Sequence, residues 1–193
     1  MERTHNLQFW QPRETSCQSG GPRVKKEVEF TGRKSACRRR MLLKTMCQER
    51  GFYMFATVQD LVANYTEAVY EGDAEKFLSA YAPDVHIFDC FEQWEYTGIE
   101  AWRAFVTEWF SGMEQEGAKL RAEVESQGAK EYGDSAHVHC IISFAALDQS
   151  GKQLRKTKNR FTFVLEKVDG SWRIVHEHSS VPVHMEDGRA IFG

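Results

Sequence analysis

No apolar run in this sequence of 193 residues approaches the roughly 20 residues that cross a bilayer as a helix. A membrane partner is therefore not expected. The amino-terminal stretch has no clear apolar core of the signal-peptide kind, so a secretory leader is not expected either. Cysteine is sparse: Cys17, Cys37, Cys47, Cys90 and Cys140 are an odd number, with no CxxC spacing. That pattern argues against a disulfide framework or a zinc knuckle and leaves a reducing, cytoplasmic setting as the expectation. No internal repeat is present. Net charge is also small, at -3, but the balance conceals a division. Residues 1–50 carry 12 Lys and Arg against 5 Asp and Glu, whereas residues 51–193 carry 13 against 23. The acidic part makes a poor nucleic-acid partner, so none is expected.

The division of charge coincides with a division of pattern. Residues 1–53 show little periodicity, contain Ser19-Gly20-Gly21-Pro22 and Arg38-Arg39-Arg40, and read as a basic, disordered extension. Residues 54–185 read as one domain, and residues 186–193 as a short tail. Thr57 is placed to cap a helix, with Asp60 three residues on completing a capping box. Val58, Leu61, Val62, Tyr65 and Val69 then recur at helical spacing up to Gly72. Asp73 opens a second short helix bearing Phe77, Leu78 and Tyr81, stopped by Pro83. A strand from Val85 to Asp89 leads into an aromatic loop containing Phe91, Trp94 and Tyr96. A third helix from Ile99 to Phe110 carries Trp102, Phe105, Val106 and Trp109 on its apolar side. Beyond it the period changes to two, through Leu120, Ala122 and Val124 and then Ala136 to Leu147. Helices followed by a meander of strands predict an α+β domain with the helices on one side of a sheet.

The strongest local signal is Asp169-Gly170, a two-residue hairpin turn. Continued without interruption, its register pairs Thr162 with Glu177 and Arg160 with Ser179 on one face. On the other it pairs Lys167 with Trp172, Leu165 with Ile174, Phe163 with His176 and Phe161 with His178. One face is then aromatic with two histidines, and the other ends in an Arg, Thr, Glu, Ser cluster. Neither is plainly wet, which suggests a sheet covered on both sides.

The order of elements resembles the nuclear transport factor 2-like superfamily, whose fold is a cone: a curved antiparallel sheet wrapped around three amino-terminal helices. The ending DGSWRIVHEHSSVP resembles the last strand of the calcium/calmodulin-dependent protein kinase II association domain. The stretch NYTEAVYEGD…YAPDVHIFDCFE…YTGIEAWRAF resembles ketosteroid isomerase and the SnoaL-like polyketide cyclases. The resemblance covers about residues 56–183. It implies a small-molecule-binding domain, carbonyl-containing or anionic ligands, no cofactor, and a homodimer formed through the convex sheet. It also implies a cofactor-independent isomerase, cyclase or dehydratase that removes a proton next to a carbonyl. The alternative it carries is a non-catalytic ligand-binding or oligomerisation module of the association-domain type.

On the isomerase resemblance, Asp89 falls at the catalytic base and Tyr65 at the oxyanion-hole tyrosine. The second acid of that oxyanion hole is replaced by Thr162, a weaker donor. Read from the residues alone, Asp89 either caps the following loop or pairs with an arginine, and Tyr65 belongs to a core stripe. The Arg160, Thr162, Glu177, Ser179 cluster is by itself an exposed face with an ordinary cross-strand pair. The resemblance turns it toward the pocket, where Arg160, held by Glu177, binds a carboxylate or enolate. Trp94 and Trp102 complete the expected substrate-binding set. His137, His139, His176 and His178 form two H-x-H pairs whose spacing suits a transition metal. With no carboxylate beside them they read first as interface or core residues, and no metal is expected.

Overall fold

The computed structural model describes residues 53–193. The expectation for the basic extension lies, apart from Tyr53, outside the described residues. The elements run α1 (Val58–Glu71), α2 (Ala74–Leu78), β1 (Tyr81–Phe88), β2 (Tyr96–Thr97), α3 (Ile99–Gln115), β3 (Lys119–Tyr132), β4 (Ser135–Leu147), β5 (Gln153–Val168) and β6 (Ser171–Ser180). The α1 start is a capping box: the Thr57 N–H donates to the Asp60 carboxylate (2.8 Å) and the Asp60 N–H to Thr57 Oγ1 (3.1 Å). Two orphan donors of the first turn are thereby satisfied. Gly72 ends the helix at φ 69°, a left-handed conformation that costs glycine nothing. The Asp73 side chain then accepts from the Lys76 N–H to start α2.

Two boundaries differ from expectation. Tyr81 is the first residue of β1, not the last of a helix, because Pro83 is tolerated inside this strand. The third helix continues through Gly112 to Gln115, since Phe110 and Met113 extend its buried stripe by another turn.

The described strands form one curved six-stranded sheet in the order β2-β1-β6-β5-β4-β3. All neighbours are antiparallel except β1 and β6, which run parallel, so the sheet is mixed. The helices cover one face, and the core forms between them: Leu61, Tyr65, Val69, Phe77, Val106 and Phe110 pack against Val138, Ile142, Phe161, Phe163 and Ile174. Phe77 is at its centre, with its ring against those of Tyr65, Tyr81, Trp109 and Phe110.

The β5–β6 hairpin decides what faces that core. Asp169 (φ 51°) and Gly170 (φ 78°) both adopt left-handed backbone, as a type I′ turn demands. The first four pairs follow the uninterrupted register, from Val168–Ser171 to Leu165–Ile174. Val175 is then left without a partner, and the next pair is Val164–His176. This β-bulge moves the following residues of β6 to the opposite face. Phe163 therefore pairs with Glu177 and Phe161 with Ser179, while Thr162 pairs with His178 and Arg160 with Ser180.

The segment before α1 is tied to the same hairpin. The Phe55 N–H donates to Ser171 Oγ, the Trp172 N–H to the Phe55 carbonyl, and the Arg173 guanidinium to the Tyr53 carbonyl. After β6, Val183 bridges to Ala190, and the ring of Phe192 stacks on that of Phe91 at 6.2 Å.

Because Phe77 is fully buried among four rings, Phe77→Ala is expected to destabilise the domain by about 3–5 kcal/mol. A lower urea midpoint at unchanged slope is the expected reading.

Candidate functional site

Asp89 is the first residue after β1, where that strand runs beside the end of β6. Ser179 Oγ donates to Asp89 Oδ1 (2.5 Å) and itself accepts from the Cys90 N–H (2.7 Å). A third contact, from the Phe91 N–H to Asp89 Oδ2, is longer at 3.3 Å. Burial pushes the Asp89 carboxyl above its usual range, while the Ser179 hydroxyl and these N–H groups pull it back. The carboxylate is oriented and half-buried, and has no arginine paired with it among the described residues.

Glu177 lies two residues before Ser179 on the same face of β6, with an exposure of 1%. The Tyr81 hydroxyl donates to its Oε2 at 2.6 Å. Burial raises its pKa from 4.5 to about 8; the Tyr81 bond opposes the rise and the Asp89 charge adds to it. Tyr65 packs against Phe77, Phe161 and Phe163. Burial, and then the charges of Glu177 and Asp89, push its phenol well above 10, so it stays a neutral donor. Asn159, alternating with Phe161 and Phe163 on the inner face of β5, donates to Cys90 Sγ at 3.2 Å. Its buried Oδ1 has no partner among the described residues. The Cys90 and Cys140 thiols are raised to about 11 and about 12 by burial, which keeps them protonated.

The bulge separates residues that the uninterrupted register joins. Asp89, Tyr65, Glu177 and Ser179 face the interior, and Trp102 is buried there against Tyr81 and Tyr96. Arg160 and Thr162 lie exposed on the outer face. Thr162 therefore cannot replace an oxyanion-hole acid, and Arg160 is neither held by Glu177 nor able to meet a ligand beside Asp89. Trp94 stands at the loop tip, 92% exposed. Phe161, Phe163 and Trp172, expected to share a face with the histidines, are core residues instead.

His176 and His178 stay outside, joined by His86 and Phe88 of β1. His137 and His139 sit two strands away across β5. His139 packs over Gly128, where a Cβ would approach its ring to 2.5 Å. Among the described residues no group of three or more His, Cys, Asp or Glu side chains converges on a metal position. The two H-x-H pairs do not form one set of ligands.

A cavity of about 460 Å³ opens beside the loop after β1, lined by Phe88, Asp89, Cys90, Glu92, Trp94 and His178 among others. Asp89 belongs to both this cavity and the interior network, so the cavity gives a route to its carboxylate. Tyr81 and Asn159 are the site residues that sequence reasoning missed. Asn159 was findable, because period two places it with Phe161 and Phe163. Tyr81 was not, because its spacing fits the preceding helix equally well.

A family model described as a SnoaL-like domain matches residues 58–184. A nuclear transport factor 2-like protein of Pseudomonas putida KT2440 is 22% identical, with a TM-score of 0.62, over 70% of this chain and 91% of that one. A Xanthomonas campestris protein named for the calcium/calmodulin-dependent protein kinase II association domain is 24% identical, with a TM-score of 0.54, over 67% and 86%. Aln2 of a Streptomyces species is 15% identical, with a TM-score of 0.56, over 64% and 86%. No curated protein matches. At these identities the solved structures establish the nuclear transport factor 2-like fold. Among the described residues no helix is long and apolar enough to cross a membrane.

The raised carboxyls set the pH dependence of stability. Between 4.5 and about 8 the folded Glu177 holds a proton that the unfolded chain has released, so stability falls as pH rises across that window. Asp89, also raised, acts in the same direction. Glu125 and Asp148, both lowered by their hydrogen bonds, act oppositely and only in acid. The Glu177 contribution is of order 5 kcal/mol. Urea denaturation at pH 5 and pH 8 is expected to show the loss in wild type and to show most of it removed in Glu177→Gln.

Proposed function

The chain belongs to the SnoaL-like domain family, and from that premise we propose that it is a cofactor-independent enzyme of the isomerase, cyclase or dehydratase kind. Asp89 removes a proton next to a carbonyl, and Tyr65, held neutral, donates to the oxygen that gains charge. The observation that carries this reading is Asp89 itself: a half-buried carboxylate fixed by Ser179 at the edge of a cavity, with its basicity raised. A base of that kind contributes about 10²–10⁴-fold to a proton transfer. The substrate it suits is an uncharged carbonyl compound. The interior holds Glu177 as well as Asp89, the mouth adds Glu92, and Arg160 lies on the wrong face to bind an anion.

Exchange of α-protons in deuterium oxide, followed by NMR across a panel of uncharged ketones, tests this. Wild type is expected to exchange at least one of them, and Asp89→Asn to lose about 100-fold or more at an unchanged thermal midpoint. Equal exchange in the variant, or a collapse in stability, would make Asp89 a structural residue.

The outer sheet face supports a second reading, in which the domain also assembles as a homodimer. His86, Phe88, Val164, His176 and His178 form an aromatic and aliphatic patch there, with Phe88 and Val164 more than a third exposed. His178→Glu, at the middle of the patch, is expected to shift the protein toward monomer in light scattering. A monomeric wild type would sink the dimer.

A further inference from the structure

Removal of a proton by Asp89 uses one acid of the cavity and leaves most of its wall without a role. Phe88, Phe91 and Trp94 all line that space of about 460 Å³, and each is more than a third exposed, so the core does not account for them. Two of these rings are fixed before any ligand arrives. Phe91 is stacked on Phe192 at 6.2 Å, and Phe88 stands edge-on to His176 and His178. Trp94 is left open at the loop tip. Three exposed rings around one concave space are an apolar surface that a ligand can cover.

The same space is lined by Glu92 as well as Asp89, and by no Lys or Arg. Elsewhere on the domain Lys76, Arg103, Arg155 and Lys158 each pair with an acid. Asp89 and Glu92 have no Lys or Arg paired with them among the described residues. His178 is the one basic side chain of the lining, and its ring is turned against Phe88. The backbone holds Glu92 in place. The Gln93 N–H donates to the Phe91 carbonyl across it at 2.9 Å, with Glu92 at φ 61°. A tight turn of this kind strains a residue other than glycine. An anion at the mouth would meet two like charges, and an uncharged group would leave Glu92 unpaired. A positive charge satisfies Glu92 and is also attracted to the faces of the rings. The excess of acids in residues 51–193, 23 against 13 Lys and Arg, draws cations from a distance.

We propose that the mouth of this cavity binds an organic cation, an amine or quaternary ammonium compound. It rests on the rings of Phe88, Phe91 and Trp94, with Glu92 as its counter-ion and Asp89 on its inner side. A bare metal ion does not suit the position. Rings offer it no lone pairs, and no group of three or more His, Cys, Asp or Glu side chains converges there among the described residues. An alkylated ammonium suits it because its charge is weakly hydrated and its substituents are apolar, so rings and carboxylate are both used. The inference does not rest on the reading of Asp89 as a base, since only the charge of its carboxylate enters. On that reading, however, a bound cation stands in the route to Asp89 and excludes the carbonyl compound from it.

Choline and 3,3-dimethylbutan-1-ol, which has the same shape without the charge, test this on the full chain. Binding is followed by NMR at the Trp94 indole N–H, assigned from its loss in Trp94→Phe. Choline should shift that signal and bind about 10-fold or more tightly than the alcohol. Glu92→Gln should weaken choline about 5–10-fold and leave the alcohol unchanged, whereas Glu92→Asp should retain most of the choline affinity. Added sodium chloride should weaken choline binding by wild type and not that of the alcohol, a comparison that needs no variant to fold. An unmoved Trp94 signal, equal affinity for the alcohol, choline binding undiminished in Glu92→Gln, or choline binding indifferent to salt would each overturn the proposal. Failure of the Asp89 reading is seen separately, as α-proton exchange that survives Asp89→Asn.

Discussion

The bulge at Val175 is the constraint on which the site depends. A strand has a side-chain period of two, so one extra residue exchanges the inward and outward sets for everything beyond it. Before the bulge, Trp172 and Ile174 fill the core beneath α1 and the Phe55 segment. After it, Glu177 and Ser179 occupy inner positions, and His176 and His178 go out. The parallel pairing of β1 with β6 shifts register over the same stretch, from Tyr81–Ile174 to His86–His176. That shift brings the end of β1 level with Ser179, so that Asp89 meets it. A regular hairpin of this sequence would have sealed the interior with histidines and left the acids in water.

Burying two carboxyls without a cation costs free energy, and the structure divides that cost unequally. Asp89 receives a hydroxyl and a backbone N–H, and its neighbour Ser179 is fixed in turn by Cys90. Glu177 receives one phenol. Hydrogen bonds to a carboxylate favour its charged form, and burial disfavours it. The better-solvated acid is therefore the more readily ionised, and the worse-solvated one holds its proton. The rigidity needed to keep them apart comes from the aromatic core, in which Phe77, Tyr65, Phe161 and Phe163 form a continuous set of ring contacts.

The fold was legible because its signals are local and agree with one another. The Thr57–Asp60 box, Gly72, the stripe on α3 and the type I′ pair Asp169-Gly170 each name an element, and their order names the architecture. Asp89 and Tyr65 were singled out through the isomerase resemblance and not by local signals of this kind. The bulge was not legible. Arg-Ile-Val-His-Glu-His alternates well enough to be paired straight through, and nothing in Val175 marks it as the residue to be left out. Its exclusion goes with a tertiary feature, the register shift between β1 and β6 over the same stretch. The misplacement of Arg160 and Thr162 follows from that single step, since both were located through their supposed partners.

The same parity links the site to the outer face. His178 lines the cavity from outside while Ser179, its neighbour, holds Asp89 from within. Phe88 and Asp89 divide in the same way at the end of β1, one ring against His176 and His178, one carboxylate against Ser179. A second subunit seated on Phe88 and His178 would therefore border the cavity mouth. On the proposed readings, assembly and ligand entry would be linked by adjacency along two strands, with no transmitted motion required. One residue of register decides which side chains the interior and the outer face each receive.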